Sequence, residues 1–183
     1  LLVDKPRGKT SHDVVDDVRR ETGERRAGHA GTLDPLATGL LVGARGKGLR
    51  VLEFMAGHDK GYEVEIELGV LTETDDADGP RLAGGPVPSR EALEAAAAGM
   101  LGEISQTPPR YSAVKIGGRR AYDLARKGKD VEIPPRTVRV DALALLSYDP
   151  PRARFRVQGS KGLYVRSIAR DLGPNGLVTY IRR

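Results

Sequence analysis

The stretch that decides the fold is Tyr62-Glu63-Val64-Glu65-Ile66-Glu67-Leu68, in which apolar and acidic side chains alternate without a break. Strict alternation is the pattern of a β-strand that buries one face and leaves the other in water. Burial on one face only is typical of antiparallel sheets, because the strands of parallel sheets are usually covered on both faces. The stretch therefore predicts a half-buried strand with a wet, acidic outer face.

Helices and strands alternate irregularly in the rest of the chain. Thr10 and Ser11 supply N-cap oxygens for a helix that ends at Gly23, and Ser89 begins an alanine-rich helix that continues through Leu101. Further strands are predicted near 40–42, 111–116, 138–146 and 155–157, and further helices at 119–127 and 168–172. Without a regular strand–helix–strand rhythm, this order predicts an α+β fold with a mixed, mainly antiparallel β-sheet flanked by helices and loops.

Length and composition indicate one globular domain. The chain has 183 residues, of which 39% are hydrophobic and 30% charged, and it contains no cysteine. The lack of cysteine excludes disulfides, thiolate metal sites and a catalytic thiol. No apolar run reaches the length of about 20 residues that a membrane span needs. We therefore expect a domain covering residues 1–183 in the reducing cytoplasm.

Charge is distributed unevenly along the chain. The formal net charge is +5, yet residues 53–79 carry nine acids and one lysine. Residues 110–139 carry nine bases and three acids, and residues 152–183 carry eight bases and one acid. Such separated basic and acidic surfaces are compatible with a polyanionic partner, although charge alone also fits a solvated mixed surface.

Metal and nucleotide motifs fail at decisive positions. The glycine-rich run 43–48 ends in glycine, where a phosphate-binding loop needs Ser or Thr. The acidic turn at 74–79 lacks the bidentate glutamate of a calcium loop. His12, His29 and His58 show no helical ligand spacing. No metal is predicted.

The loop around Asp34 is difficult to explain by structure alone. Asp34 directly precedes Pro35, and proline pushes the preceding residue toward an extended conformation that fixes the direction of its side chain. An aspartate in this setting often makes an Asx turn, whereas a directed carboxylate can also serve as a nucleophile. Both interpretations remain open from these residues.

The segment Gly28-His29-Ala30-Gly31-Thr32-Leu33-Asp34-Pro35-Leu36-Ala37-Thr38-Gly39 resembles the signature loop of the bacterial TruB family of pseudouridine synthases. Other segments resemble that family in type and order, including its opening motif, tyrosine strand, acidic turn, arginine strand and Leu-Arg-Arg ending. They are residues 4–12, 60–62, 74–79, 162–167 and 180–183. The resemblance covers nearly the whole chain.

The resemblance implies a pseudouridine synthase catalytic fold with a central basic RNA-binding cleft. It implies isomerisation of uridine to pseudouridine without a cofactor. Residues 115–126 are similar to an insert of the stand-alone bacterial tRNA enzymes, which implies uridine 55 in the tRNA T loop as the target. We accordingly expect the T-arm stem-loop as the partner, no guide RNA, and a monomer.

The resemblance also assigns roles to individual residues. It implies that Asp34 is the nucleophile or charge stabiliser, that Arg166 pairs with it, and that Tyr62 stacks on the target base. It further implies that Tyr164 and Ile181 line the pocket. A stacked uridine must be flipped out before its base can react, and His29 matches the residue that fills the space left behind.

Basic side chains supply the candidate contacts to the RNA backbone. Such contacts are abundant and insensitive to sequence. On charge alone, the candidates are Lys5, Arg119, Arg120, Arg126 and Lys127.

Two rival functions remain at this stage. One is a non-catalytic RNA-binding module of the same fold. The other is a nucleoside or glycoside hydrolase in which Asp34 works with a second carboxylate from Asp75, Asp76 or Asp78. A hydrolase would release free base or sugar, whereas an isomerase leaves the RNA intact.

The end of the chain departs from the family pattern. The segment 173–183 is shorter than the family leads us to expect, and the usual Gly-x-His before the Leu-Arg-Arg ending is missing. The family normally continues into a small RNA-binding (PUA-like) domain. We expect that domain to be absent from these 183 residues and the catalytic core to be whole.

Overall fold

The computed structural model describes residues 1–125, 132–173 and 176–183, with backbone alone for residues 83, 120 and 176–180. The strands are β1 Leu2–Lys5, β2 Ala27–His29, β3 Gly39–Arg45, β4 Lys60–Leu68, β5 Val70–Thr72, β6 Arg81–Gly84, β7 Gly102–Gln106, β8 Lys115–Ile116, β9 Arg119–Arg120, β10 Arg136–Asp149, β11 Arg152–Gly159 and β12 Gly176–Arg182. The helices are α1 Ser11–Thr22, α2 Leu52–Ala56, α3 Arg90–Gly99, α4 Ala121–Ala125 and α5 Val165–Asp171, with a 3-10 helix at Gly46–Val51.

The main sheet has five antiparallel strands in the order β12-β4-β11-β10-β7. The alternating stretch forms β4, which lies in the interior of the sheet between β11 and β12. Val64 is opposite Phe155 on one side and Ile181 on the other. The predicted antiparallel sheet is therefore observed, and it brings the end of the chain beside β4.

The two faces of this sheet differ as the alternation predicts. Val64, Ile66 and Phe155 are each no more than 1% exposed and belong to the apolar core. On the other face, glutamates of β4 stand opposite arginines of β11, and Glu63 accepts a hydrogen bond of 2.8 Å from Arg156. Opposite charges facing each other across two strands stabilise the pairing modestly.

A second, three-stranded antiparallel sheet has the order β1-β3-β2, and α1 lies beside it. Helix α1 begins as expected, because the Thr10 side chain accepts from the Asp13 amide while the Asp13 carboxylate accepts from the Thr10 amide. It ends at Gly23, whose φ of 67° suits glycine. No helix in the described part of the chain is long and apolar enough to cross a membrane.

The segment 111–127 differs from expectation. In its described part, residues 111–125, strand pairing is limited to β8 and β9, joined by Gly117 and Gly118 at positive φ. The predicted basic helix at 119–127 was wrong at its start, since pairing with Ile116 draws Arg119 into β9. Helix α4 then runs over residues 121–125, with Ala121 and Ala125 buried. Arg126 and Lys127 lie outside the described residues.

The predicted arginine strand at 162–167 is also different. Arg166 is the second residue of α5, and the Ile168 amide donates to the Tyr164 carbonyl in the first turn of that helix. A helix presents residues four apart on the same face. Arg166 and Arg170 consequently lie on the same side of α5.

Candidate active site

The Asp34 loop is a tight turn set into the core. The Ala37 amide donates to the Asp34 carbonyl at 3.0 Å, with Pro35 at the second position of the turn, where proline is favoured. Leu33 and Leu36 on either side are at most 4% exposed. Asp34 itself is 29% exposed. Buried neighbours thus hold a carboxylate that solvent can still reach.

The start of α1 holds the loop from one side. The buried Ser11 hydroxyl accepts from the Leu33 amide at 2.8 Å and donates to the Leu33 carbonyl at 3.2 Å. One side chain therefore satisfies both backbone groups of the residue before Asp34. This contact restricts how far the carboxylate can move.

The end of the chain holds the loop from the other side. The Thr38 amide donates to the Ile181 carbonyl, and the Arg183 amide donates back to Thr38. Gly39 allows this approach, because a Cβ there would lie only 2.3 Å from the Arg183 carbonyl oxygen. The loop is thus attached to the strand beside β4.

Lys5 lies under the loop and not at the surface, where a contact to an RNA backbone would require it. Its side chain is buried, and its ammonium donates to the carbonyls of Pro6, Lys9 and Pro35 at 3.1, 2.6 and 3.3 Å. Burial lowers the pKa of Lys5, and the charge of Asp34 opposes that shift. We therefore correct its predicted role: Lys5 supports the turn that carries Asp34.

Arg166 is the centre of the site. Its guanidinium is 4% exposed, and its Nη2 donates to Asp34 Oδ1 at 3.1 Å. Its Nε lies 2.9 Å from Asp34 Oδ2, within ion-pair distance but without hydrogen-bond alignment. The remaining partners of the guanidinium are the carbonyls of Thr74 and Tyr111 and a second carboxylate, Asp76.

Asp76 was weighed in the sequence only as a possible partner for hydrolysis, and the structure gives it a different place. Its Oδ2 accepts from Arg166 at 3.2 Å, while its Oδ1 accepts from the Thr74 hydroxyl and the Asp78 amide. Asp76 is thus enclosed by donors. The Asp-rich turn at 74–79 was the signal for it, but charge alone did not reveal that an arginine 90 residues later would be its partner.

The electrostatics of the site work against ionisation of Asp34. Burial raises the pKa of the Asp34 carboxyl, Arg166 opposes that shift, and the Asp76 charge adds to it. The Arg166 cation therefore favours the ionised form of the Asp34 carboxyl.

Two tyrosines share the electrostatic environment of Asp34. Burial raises the pKa of both Tyr62 and Tyr164, and the charge of Asp34 contributes to both shifts. The phenols consequently remain protonated at neutral pH. Gln106, a residue that the sequence did not indicate, fixes the backbone of Tyr164 by donating to its carbonyl and accepting from its amide.

The other predicted residues are spread more widely. His29 ends β2 with Nδ1 2.9 Å from the Gly31 carbonyl, so that this nitrogen acts as the donor. Ile181 is 2% exposed in the core. Arg119 is exposed on β9, and the side chain of Arg120 lies outside the described residues. Among the described residues, no group of three or more His, Cys, Asp or Glu side chains could hold a metal ion.

Solved structures with the same fold define the class of protein. A chain from a Cbf5-Nop10-Gar1 complex matches 100% of this chain with a TM-score of 0.74 and 29% identity. A chain from an H/ACA RNP bound to a substrate RNA containing 2'-deoxyuridine matches with a TM-score of 0.71 and 26% identity. This chain spans 47% and 45% of those chains. The fold is that of the RNA pseudouridine synthases.

The chain belongs to the TruB family of pseudouridylate synthases, whose N-terminal domain matches residues 19–165. It is 49% identical over 175 residues to a tRNA pseudouridine synthase B of Opitutus terrae, covering 94% of this chain and 73% of that protein. It is 47% identical to one of Geobacillus kaustophilus, covering 94% and 64%. The predicted family, fold class and enzyme class are confirmed.

Proposed function

We propose that this chain isomerises uridine 55 in the T loop of tRNA to pseudouridine, with Asp34 as the catalytic residue. The observation that carries the proposal is the Asp34 carboxylate held by the buried Arg166 guanidinium, within electrostatic reach of Tyr62 and Tyr164. The choice of tRNA is supported by bacterial relatives named tRNA pseudouridine synthase B.

The reaction is an isomerisation in which atoms balance without a co-reactant. The N1–C1′ bond breaks, the base turns, and a C5–C1′ bond forms. The proton leaves C5, and N1 gains one. Asp34 is the nucleophile or charge stabiliser for the cleavage step, since a carboxylate can form a covalent intermediate or stabilise positive charge at the sugar. No metal or organic cofactor is needed for this balance.

The remaining site residues bind and orient the base. Tyr62 stacks on the flipped uracil ring and assists removal of the C5 proton, while Tyr164 and Ile181 line the pocket. His29 occupies the space that the flipped base leaves in the T loop. Flipping costs a few kcal/mol, which stacking and pocket contacts offset.

The basic segment 110–139 is the proposed contact surface for the T-arm. Arg119, Arg120, Arg126 and Lys127 lie in this segment and would neutralise backbone phosphates. We propose that the protein acts on tRNA in the cytoplasm as a monomer, without a guide RNA, because the 115–126 segment is similar to that of stand-alone tRNA enzymes.

Tritium release from T-arm RNA labelled at uridine C5 tests the proposal. The wild-type chain should release tritium, and Asp34→Asn should reduce release by at least about 10⁴-fold, because the isosteric amide cannot act as a nucleophile. Filter binding should show RNA affinity within about twofold of wild type. Robust turnover by Asp34→Asn would remove Asp34 from its role.

Nucleoside analysis of the same reaction separates the rivals. An isomerase converts uridine without free uracil, a hydrolase releases base, and a binding module does neither. The hydrolase is disfavoured at Asp76, because that carboxylate is engaged by Arg166, the Thr74 hydroxyl and the Asp78 amide. A carboxylate so enclosed is poorly placed to act as a second acid or base.

A further inference from the structure

Two arginines on the same side of α5 bind neighbouring carboxylates of one turn. Arg166 binds Asp76, and Arg170, one helical turn later, binds Asp75 at 3.0 Å between Nη1 and Oδ2. The arginines are four residues apart and the aspartates are adjacent in sequence. Helix α5 therefore holds the turn between β5 and β6 through two ion pairs. Of these two arginines, only Arg166 also binds Asp34.

Asp75 is the unusual residue of that turn. It is the only non-glycine residue with positive φ in the described part of the chain, at 58°. Aspartate tolerates this conformation better than most residues, but it remains uncommon. Its side chain is 14% exposed, and burial raises its pKa against the effect of Arg170. The carboxylate is held inward, on the arginine, by a backbone conformation that other side chains would resist.

Arg170 also contacts the chain directly after β7. Its Nη2 donates to the Thr107 carbonyl at 2.9 Å, and the same carbonyl accepts from the Ser167 hydroxyl at 2.8 Å. Thr107 directly follows Gln106, which fixes Tyr164. One guanidinium thus ties the acidic turn, α5 and the end of β7 to one another.

We propose that Arg170 is a positioning residue for the reaction, acting through Asp75 to hold the turn that aligns Arg166 on Asp34. Arg166 Nη1 has two partners, Thr74 O and Asp76 Oδ2, and both belong to this turn. Displacement of the turn would therefore turn the guanidinium away from Asp34. The inference rests on the proposed role of Asp34 in isomerisation.

This pair differs from ordinary surface ion pairs of the same protein. Arg90 and Glu94 on α3 are 47% and 53% exposed, and such exposed pairs contribute little. Arg170 and Asp75 are 27% and 14% exposed. Asp171 also pairs with Arg170, but it lies on α5 itself and acts on the turn only through its charge, which raises the pKa of Asp75. Asp171 is therefore the matched control.

The test compares Arg170→Met, Asp75→Asn and Asp171→Asn in steady-state tritium release. Asparagine at position 75 keeps the side-chain size and tolerates positive φ. We expect kcat to fall at least about tenfold for Arg170→Met and Asp75→Asn, because small misalignments of catalytic groups have large effects on rate. KM should stay within about twofold, since neither residue is proposed to contact RNA. Asp171→Asn should match wild type in both constants.

The pH profile distinguishes positioning from a loss of folded protein. The groups acting on Asp34 are Arg166, Asp76 and Lys5. If Arg166 is misaligned, the acid limb of kcat should move upward by about half a pH unit, because its cation stabilises the carboxylate less. A merely structural change lowers the amount of active enzyme and leaves the limb in place.

A double-mutant cycle completes the test. Asp75→Asn combined with Arg170→Met should be no slower than Arg170→Met alone, because both changes remove one contact. Arg170→Lys should recover part of the lost kcat, since one ammonium can reach Asp75 without also fixing Thr107. Additive losses, an unmoved acid limb, or equal effects of Asp171→Asn would overturn the proposal. Failure of the proposed function itself would appear separately, as wild-type protein without tritium release.

Discussion

The arrangement around Arg166 places a cation where it favours the ionised form of a neighbouring carboxyl. Its guanidinium is shared between Asp34 and Asp76, with two backbone carbonyls fixing its plane. A planar group with several directed donors suits this task, whereas a lysine provides a single point charge. Burial raises the pKa of Asp34, and the charge of Arg166 is the largest influence that lowers it.

Replacement of Arg166 by lysine should therefore change both rate and pH dependence. We expect Arg166→Lys to lower kcat about 100-fold, since the ammonium cannot hold Asp34, Asp76 and both carbonyls at once. The proposed role of Asp34 needs its ionised form. A cation that pairs less closely with Asp34 leaves its pKa higher, and activity is then lost at higher pH on acidification. Measurement of kcat across the acidic range, with thermal unfolding as a check on folding, tests this. An acid limb at the wild-type position would contradict it.

At the residue scale, the sequence identified Asp34 and Arg166 as candidates but did not reveal their surroundings. The Asp-Pro step and the family motif pointed to Asp34, and the motif assigned Arg166. The role of Asp76 was not predicted, since a charged turn is normally solvated. The contact between that turn and Arg166 is visible only in the three-dimensional structure. Gln106 gave no signal, because a single buried amide has no sequence pattern.

Among the elements, the junction between the Asp34 loop and β12 sets the rigidity of the site. Thr38 exchanges backbone hydrogen bonds with Ile181 and Arg183, and Gly39 stands against the Arg183 carbonyl at a φ of 100°. Any side chain there meets both a clash and an unfavourable backbone conformation. The junction depends on glycine for both reasons.

Alanine at position 39 should therefore destabilise the protein and its site together. We expect Gly39→Ala to lower the free energy of unfolding by more than about 2 kcal/mol and to lower kcat as well. Gly102→Ala is the matched control, because Gly102 has a φ of 89° but no atom within 4 Å of its would-be Cβ. Its cost should be about 1 kcal/mol with normal kcat. Chemical denaturation and tritium release measure both quantities, and equal losses would show that the clash is irrelevant.

Elements with strong local signals were predicted well, and those that depend on distant partners were not. The capped start of α1, the alternation of β4 and the Ser89 cap of α3 are all as expected. The segment 111–125 agrees in part, because the turn at Gly117 and Gly118 is present but pairing with Ile116 draws Arg119 into β9 and delays the helix to Ala121. Strand β7 has no alternating pattern and exists through pairing with β10.

For the whole molecule, basic residues divide into structural and surface groups. Lys5 was expected at the RNA surface from its charge alone, but it is buried on backbone carbonyls. The sequence could not distinguish a buried from an exposed position for Lys5, because a lysine beside Pro6 and Gly8 is equally compatible with an exposed turn. Arg119 is exposed on the β8–β9 hairpin.

The salt dependence of RNA binding should separate these groups. Arg119→Met should reduce the slope of log K against log salt by about 1, as expected for one lost phosphate contact. Lys5→Met should leave that slope unchanged but lower the free energy of unfolding by about 2 kcal/mol, since three carbonyls lose a charged donor. Filter binding over a salt series and chemical denaturation give the two results. A reduced slope for Lys5→Met would contradict this assignment and indicate that Lys5 contacts the RNA.

The hydrogen bonds between the Asp34 loop and β12 join residues near opposite ends of the chain. Thr38 and Ile181 are separated by more than three quarters of the 183 residues. During synthesis, the loop emerges from the ribosome long before its partner strand exists. A nascent chain therefore carries Asp34 before its loop can bond to β12, and these hydrogen bonds form only after translation has delivered that strand.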